Sequence, residues 1–242
     1  MESEGRKESL SKILLTSSGE KMKLITFSLW GDNPKYTVGA IRNATLTPLV
    51  YPGWKCRFYV GTSVPNPIIW QLEDFEHVEI VRMKTEGDWR GTFWRFYPAS
   101  EDGVEVMISR DTDSRISKRE AAATKDWITS DKGFHIMRDH PWHGYQIMAG
   151  MCGIKKNVIP NMKEMIDKCA KDNYYQVDQD FLREIVWPII RNDYMCHDEF
   201  FEKNPFPKSR NNLEFVGEVY DETNMTIKEH TAALKRALAN GK

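Results

Sequence analysis

An α/β domain with a largely parallel central sheet is the fold class this sequence predicts, on three observations. Short runs of strand-forming residues alternate with segments of helical spacing. Glycine and proline punctuate the changes between them. No internal repeat or low-complexity linker divides the 242 residues, so one domain is expected.

Lys23–Trp30 (KLITFSLW) is the first strand and closes on Gly31-Asp32-Asn33-Pro34. Over Tyr36–Val50, Val38, Ile41, Leu46 and Leu49 recur at helical spacing, until Pro52-Gly53 breaks the pattern. Lys55–Val60 is the second strand, stopped by Gly61; 67–72 is a short helix; Val78–Met83 is the third strand. The aromatic stretch GTFWRFYP (91–98) reads as helical, and Val104–Ser109 as the fourth strand. Ser117 and Glu120 form a capping box, each side chain taking an orphan amide of an alanine-rich helix that runs to Trp127. Phe134–Met137 is a fifth strand, and Tyr145–Ile154 a sixth apolar stretch interrupted by two glycines. Helices at about 160–172 and 178–191, a late strand over 215–219 and a last helix over 226–239 complete the order. Residues 1–22 are expected to be a mobile leader, with ESLSKILL as an alternative short docking helix.

Hydrophobic residues are 40% of the chain and charged residues 29%, the balance of an ordinary globular protein. A net charge of -1 supplies no global field for nucleic acid or an anionic membrane. No run approaches the ~18 apolar residues of a membrane span. Cys56, Cys152, Cys169 and Cys196 include no C-x-x-C pair, which argues against zinc and for free thiols in a reducing, cytoplasmic setting.

The fourth strand ends on an unusual cluster, VEVMISRDTDSR. In an extended backbone residues two apart face the same side, so Asp111 and Asp113 would aim at one point. Two carboxylates that close need a cation or a shared proton. Oxygen-only ligands suit Mg²⁺ or Mn²⁺, which leave positions open for phosphate oxygens. Arg110 and Arg115 bracket the pair and could hold a phosphate. The plainer alternative is a polar surface turn, and a bare D-x-D occurs often by chance; its place directly after an oily strand favours function, because ligands of such sheets collect beyond the carboxyl ends of strands.

The segment resembles the Asp-x-Asp motif of GT-A-fold glycosyltransferases. Asp178-Gln179-Asp180-Phe181-Leu182 is similar to the Asp-Gln-Asp-x-Leu motif of retaining members related to glycogenin and bacterial galactosyltransferases. Ala149-Gly150 occupies the place of a small-residue turn beside the transferred sugar, and His197 that of a late histidine ligand. FSLWG, KYTVGAIRNA, YPGWKCRFYV, FWRF, ISRDTDSR, FHIMRDHPWH and FVGEV, in that order, resemble a subgroup found in large DNA viruses of algae and in bacterial polysaccharide clusters. In the viruses such proteins are linked to capsid glycans, which would put this chain in the host cytoplasm. Arg183 stands where the glycogenin-type motif often has asparagine, which leaves the stereochemistry of transfer open.

The resemblance implies a GT-A-like domain over 23–242, with a nucleotide-binding half (23–115) and an acceptor half (116–242). It implies a nucleotide-sugar donor, UDP first with GDP or dTDP in reserve, and a glycan or glycoprotein acceptor. Asp111, Asp113 and His197 would hold the metal, the imidazole favouring Mn²⁺ over Mg²⁺. Ser28, Leu29, Trp30, Tyr36, Tyr59, Arg110 and Thr112 would hold the nucleotide, with Arg57 as a further reach. Trp94, Arg95, Arg138, His140, His143, Ala149, Gly150 and Gln179 would face donor sugar or acceptor. Asp139 would hold sugar hydroxyls, and Asp178 and Asp180 would lie at the reacting centre, as general base if the reaction inverts. Trp94 and Arg95 suit an aromatic core helix equally well, and Asp178 and Asp180 a helix N-terminus. Three histidines near 135–143 could be proposed for zinc, but spacings of five and three fit no common pattern.

Three rivals use the same residues. A haloacid-dehalogenase-type phosphatase also places D-x-D after an oily strand, but near the chain start and without an arginine at the Arg115 position. A nucleotidyltransferase typically has a Gly- and Lys-rich loop near the first strand. A non-catalytic carbohydrate-binding module of the same fold would not need the acid pair.

Overall fold

The computed structural model describes residues 21–241. Residues 1–20, with most of the predicted leader and its docking helix, lie outside the described residues. Seven strands, Met22–Leu29 (β1), Lys55–Val60 (β2), Val78–Arg82 (β3), Val104–Arg110 (β4), Phe134–Arg138 (β5), Met151–Lys155 (β6) and Tyr194–Asp198 (β7), form one sheet in the order β3-β2-β1-β4-β6-β5-β7. Every pairing is parallel except those of β6, which runs antiparallel to β4 and β5. Helices Pro34–Val50 (α1), Asn66–Glu73 (α2), Lys118–Thr129 (α3), Met162–Cys169 (α4), Val177–Phe181 (α5), Trp187–Ile190 (α6) and Lys228–Ala239 (α7) accompany it, with a 3-10 helix over Trp89–Ser100. No described helix is long and apolar enough to cross a membrane.

Both faces of the sheet are covered, which is why the strands read as nearly continuous apolar runs. Alternate side chains of β1 feed separate cores. Ile25 and Phe27 pack with Ala40, Ala44 and Trp127 from α1 and α3. Leu24 packs with Phe93, Phe96 and Phe181 from the 3-10 helix and α5. Ser117 caps α3 as predicted, its hydroxyl accepting the Glu120 amide.

Four elements differ from the sequence expectation. Strand β6 begins only at Met151, because the preceding backbone is committed elsewhere: the Ala149 amide donates to the Gln179 side chain (2.6 Å) and its carbonyl accepts from Ser109 Oγ (2.7 Å). The predicted late strand over 215–219 is a looped segment. Gly217 sits at φ +80°, the Val216 amide donates to Asp139, and only Val219 makes a bridge, to Ser114. The predicted helix over 178–191 is interrupted by a π-helical turn at Leu182–Val186, where the Trp187 amide reaches back to Leu182. Pro188 explains it: without an amide proton it cannot bond the Glu184 carbonyl and its ring clashes there. Finally, Tyr194–Asp198, which falls in no element predicted from the sequence, is an edge strand.

Thr26 of β1 pairs with Ser109 of β4, so these neighbouring parallel strands end together. Ser28–Trp30 and Asp111–Asp113 therefore emerge at the same edge of the sheet, where α/β ligand sites form.

Candidate active site

The segment after β4 is a turn, not the extended backbone the sequence suggested. The Ser114 amide and hydroxyl both donate to the Asp111 carbonyl (3.3 and 2.9 Å). Buried Asn43 of α1 fixes the turn from behind: its Nδ2 donates to the carbonyls of Thr112 (3.3 Å) and Ser114 (2.8 Å), and its Oδ1 accepts the Ile116 amide (3.0 Å). A Cβ on Gly39 would overlap the Thr112 carbonyl, so glycine lets α1 approach this closely. Asp111 and Asp113 nevertheless face one cavity of about 540 Å³.

Each aspartate has its own cation. Lys35 Nζ lies 2.7 Å from Asp113 Oδ2. Arg95, 5% exposed, reaches Asp111 with one nitrogen and Asp178 Oδ2 (2.7 Å) with another. Burial, then the Asp111 charge, push the Asp113 carboxyl above the usual carboxylate range, against the pull of Lys35. A Cβ on Gly150 would overlap the Asp111 carboxylate, so the small-residue loop closes directly over the acid.

The same cavity collects Ser28, Leu29, Trp30, Tyr36, Thr112, Ala149, Gln179, His140 and His143 from the predicted set. Ser28 Oγ accepts the Arg95 amide (3.2 Å). Gln179 does not offer its amide group to a ligand: Oε1 accepts from Ala149 N and Nε2 donates to the Ile147 carbonyl, which shapes the loop. His140 Nδ1 accepts the Trp142 amide, so its proton is on Nε2, which donates to the His230 carbonyl (3.0 Å); its ring can offer a face only. His143 Nδ1 accepts the Asp139 amide (3.1 Å), which leaves an Nε2–H donor in the cavity wall.

Burial, reinforced by the nearby His140 and His230, pushes the His143 imidazole down to about 3. In the unfolded chain it titrates near 6.5. Between these values the unfolded state binds the extra proton, so stability must fall as pH falls through this window, by up to about 1.4 kcal/mol per pH unit. We expect the urea midpoint to drop from pH 7 to pH 5, and His143→Gln to drop less steeply. Equal slopes in the two proteins would contradict the assignment.

Other predicted residues lie off the cavity wall. Asp139 is fully buried, and both oxygens are occupied: Arg119 binds it bidentately (2.8 and 2.9 Å), Arg210 adds a bond of 2.6 Å and the Val216 amide one of 2.9 Å. Arg110 is not a phosphate clasp; it is buried against Glu120 (2.9 Å). Arg138 pairs with Asp198 (2.7 Å) and Glu202, and Asp180 with Arg183 (2.8 Å). Tyr59 packs edge-on to Tyr97, and Arg57 pairs with Glu79 and Glu101. Trp94 supports the site indirectly, edge-on to Trp30 at 6.1 Å.

His197 is not brought to the aspartates. It sits on edge strand β7, three places from β4 in the sheet, with Nδ1 2.8 Å from His135 Nε2 and Nε2 3.3 Å from Asp126. The strand the sequence hid is the reason. His135 is likewise buried there, apart from His140 and His143, which removes the three-histidine zinc option. Among the described residues, one group of three ligand types, Cys196, Asp198 and Glu202, clusters within 4.8 Å. Arg138 already neutralises it, and Asp198 accepts the amides of Phe200, Phe201 and Glu202.

No site role was legible in the sequence for Lys35 or Asn43, nor for Trp89, Trp142, Tyr175 and His230 on the cavity wall. A lysine or asparagine on an amphipathic helix looks like ordinary surface until the turn after β4 is laid against it.

No protein-family model and no curated protein sequence matches the chain. Solved structures do. A glycosyltransferase involved in the glycosylation of the major capsid of PBCV-1 matches with TM-score 0.51 at 15% identity, over 74% of this chain and 82% of that one. S. aureus TarS matches with TM-score 0.51 at 9% identity, over 74% of this chain and 58% of that one. A 4-diphosphocytidyl-2C-methyl-D-erythritol synthase from Anaerococcus prevotii matches with TM-score 0.50 at 12% identity, over 91% of this chain and 99% of that one. These likenesses show the fold: the chain has the GT-A-like α/β architecture, a mostly parallel seven-stranded sheet flanked by helices.

Proposed function

We propose that the chain transfers a sugar from a nucleoside-diphosphate donor, a UDP-sugar first, to a hydroxyl of a glycan acceptor, with Mn²⁺ or Mg²⁺ held by Asp111 and Asp113. The observation that carries this reading is the meeting of the Asp-x-Asp turn, the end of β1 and Asp178 around one cavity at the carboxyl edge of the sheet. The donor set fits a hard dication: two carboxylates on one turn, one of them with its side chain 50% exposed and open to further ligands. A bound dication would neutralise the diphosphate as it leaves.

The chain's own residues do the rest. Ser28–Trp30 and Tyr36 form the wall for base and ribose. Ala149 and Gly150 close over Asp111, where the transferred sugar would lie. Asp178, fixed by Arg95, would accept a hydrogen bond from a sugar hydroxyl. Neutral His143 donates from Nε2. His230, on the same wall, replaces His197 as the imidazole available to the site. Among the described residues the acids lining the cavity are Asp111, Asp113 and Asp178, each already paired with a cation. With no unpaired carboxylate to act as base, retention is favoured, the departing diphosphate accepting the acceptor proton. Four unpaired thiols support a cytoplasmic setting, a host's cytoplasm should the chain be viral.

The synthase neighbour shares the fold with the glycosyltransferases, so the test must separate them. A thermal-shift panel of UDP, GDP, dTDP and CTP, each with and without Mn²⁺, should give a metal-dependent rise of the melting temperature with UDP. A response to CTP alone points to nucleotidyl transfer. Silence with every nucleotide points to a non-catalytic module, and phosphate release from simple monoesters to a phosphatase.

A further inference from the structure

We propose that Lys35 is a built-in counter-ion that competes with the dication for Asp113, and that cation binding transfers the Lys35 ammonium to the donor's diphosphate. The inference rests on the transferase reading above. Three acids line the cavity, Asp111, Asp113 and Asp178, against two cations, Arg95 and Lys35, which leaves a net charge of -1. A dication entering this site meets an ammonium on one of its two ligands. A dication would add repulsion at both carboxylates in a partly desolvated pocket, and that repulsion is relieved by whichever of the two cations can move.

The geometry decides which cation yields. Arg95 has a side chain only 6% exposed and holds two acids at once, so it cannot leave without stranding both. Lys35 has a side chain 30% exposed, and Asp113 is its one ion-pair partner among the described residues. Its backbone is anchored in the first turn of α1, where Asn33 Oδ1 accepts the Lys35 amide (3.0 Å). A fixed backbone with a flexible four-carbon stem is a swinging point charge, and ammonium groups bind phosphate in that way. The stem already passes the Tyr36 ring, 5.1 Å from centroid to Nζ, and Tyr36 is on the nucleotide wall.

This competition predicts opposite signs for two affinities. Removing the Lys35 charge must tighten cation binding and weaken nucleotide binding, whereas a merely structural lysine would weaken both when removed. The experiment titrates Mn²⁺ alone into wild type, Lys35→Met and Lys35→Arg, reading free Mn²⁺ by electron paramagnetic resonance, and then titrates UDP at saturating Mn²⁺. Lys35→Met should bind Mn²⁺ about tenfold tighter and UDP about tenfold more weakly, while Lys35→Arg stays within about threefold of wild type in both. If wild type binds Mn²⁺ and UDP but Lys35→Met binds Mn²⁺ no tighter, the counter-ion role is wrong and the transferase reading stands. If wild type binds neither, both are wrong.

Discussion

Asp113→Ala is expected to lower the affinity for UDP in the presence of Mn²⁺ by on the order of 100-fold or more, because it removes one of the two carboxylates proposed to grip the cation. Its effect on stability should be small. Asp113 is partly buried beside a like charge, and both features penalise it in the folded state. What it gains back is one ion pair with Lys35, whose side chain is exposed enough to rehydrate when the partner is lost. These opposing effects leave a change within about 1 kcal/mol. Calorimetric titration with UDP and Mn²⁺, alongside a thermal melt, separates the two quantities. Unchanged UDP affinity in a folded variant would remove the acid pair from the site.

For Asp139→Asn the expectation is the reverse, a large loss of stability with ligand handling intact. The amide keeps the shape but presents one acceptor and a donor to Arg119 and Arg210, so two guanidinium groups lose their shared buried charge. Breaking such a pair costs about 3–5 kcal/mol, or on the order of 10 °C of melting temperature in a chain of this size. Below the melt, KM for whichever nucleotide sugar the wild type hydrolyses should be unchanged. A rise in KM at constant melting temperature would instead make Asp139 a sugar ligand, as the sequence resemblance implies.

Asp113 and Asp139 show how far the chain can be read. Both follow an oily strand, and each has an arginine within a few positions before it. One faces the cavity and the other is the anchor of a buried ionic cluster. The difference comes from Arg210 and Val216, 71 and 77 positions beyond Asp139, which fold back over it. His197 carries the same lesson. It is a late histidine in the expected place in the order, yet strand β7 carries it to the sheet edge. Arg95 was legible as a residue that could face the donor or sit in an aromatic core helix, but not as the link between Asp111 and Asp178, the second of which lies 83 positions further on.

What the sequence by itself determined is local. Apolar periodicity, glycine and proline breaks and the capping box fixed five of the strands, the main helices and the α/β class, because each depends on residues within a few positions of one another. It also fixed that two aspartates lie just beyond a strand end. Only the tertiary structure decided which charges are free and which are already paired. A carboxylate or a guanidinium is chemically the same wherever it occurs, and its availability depends on the long-range neighbours that strand order and loop packing bring within hydrogen-bond distance.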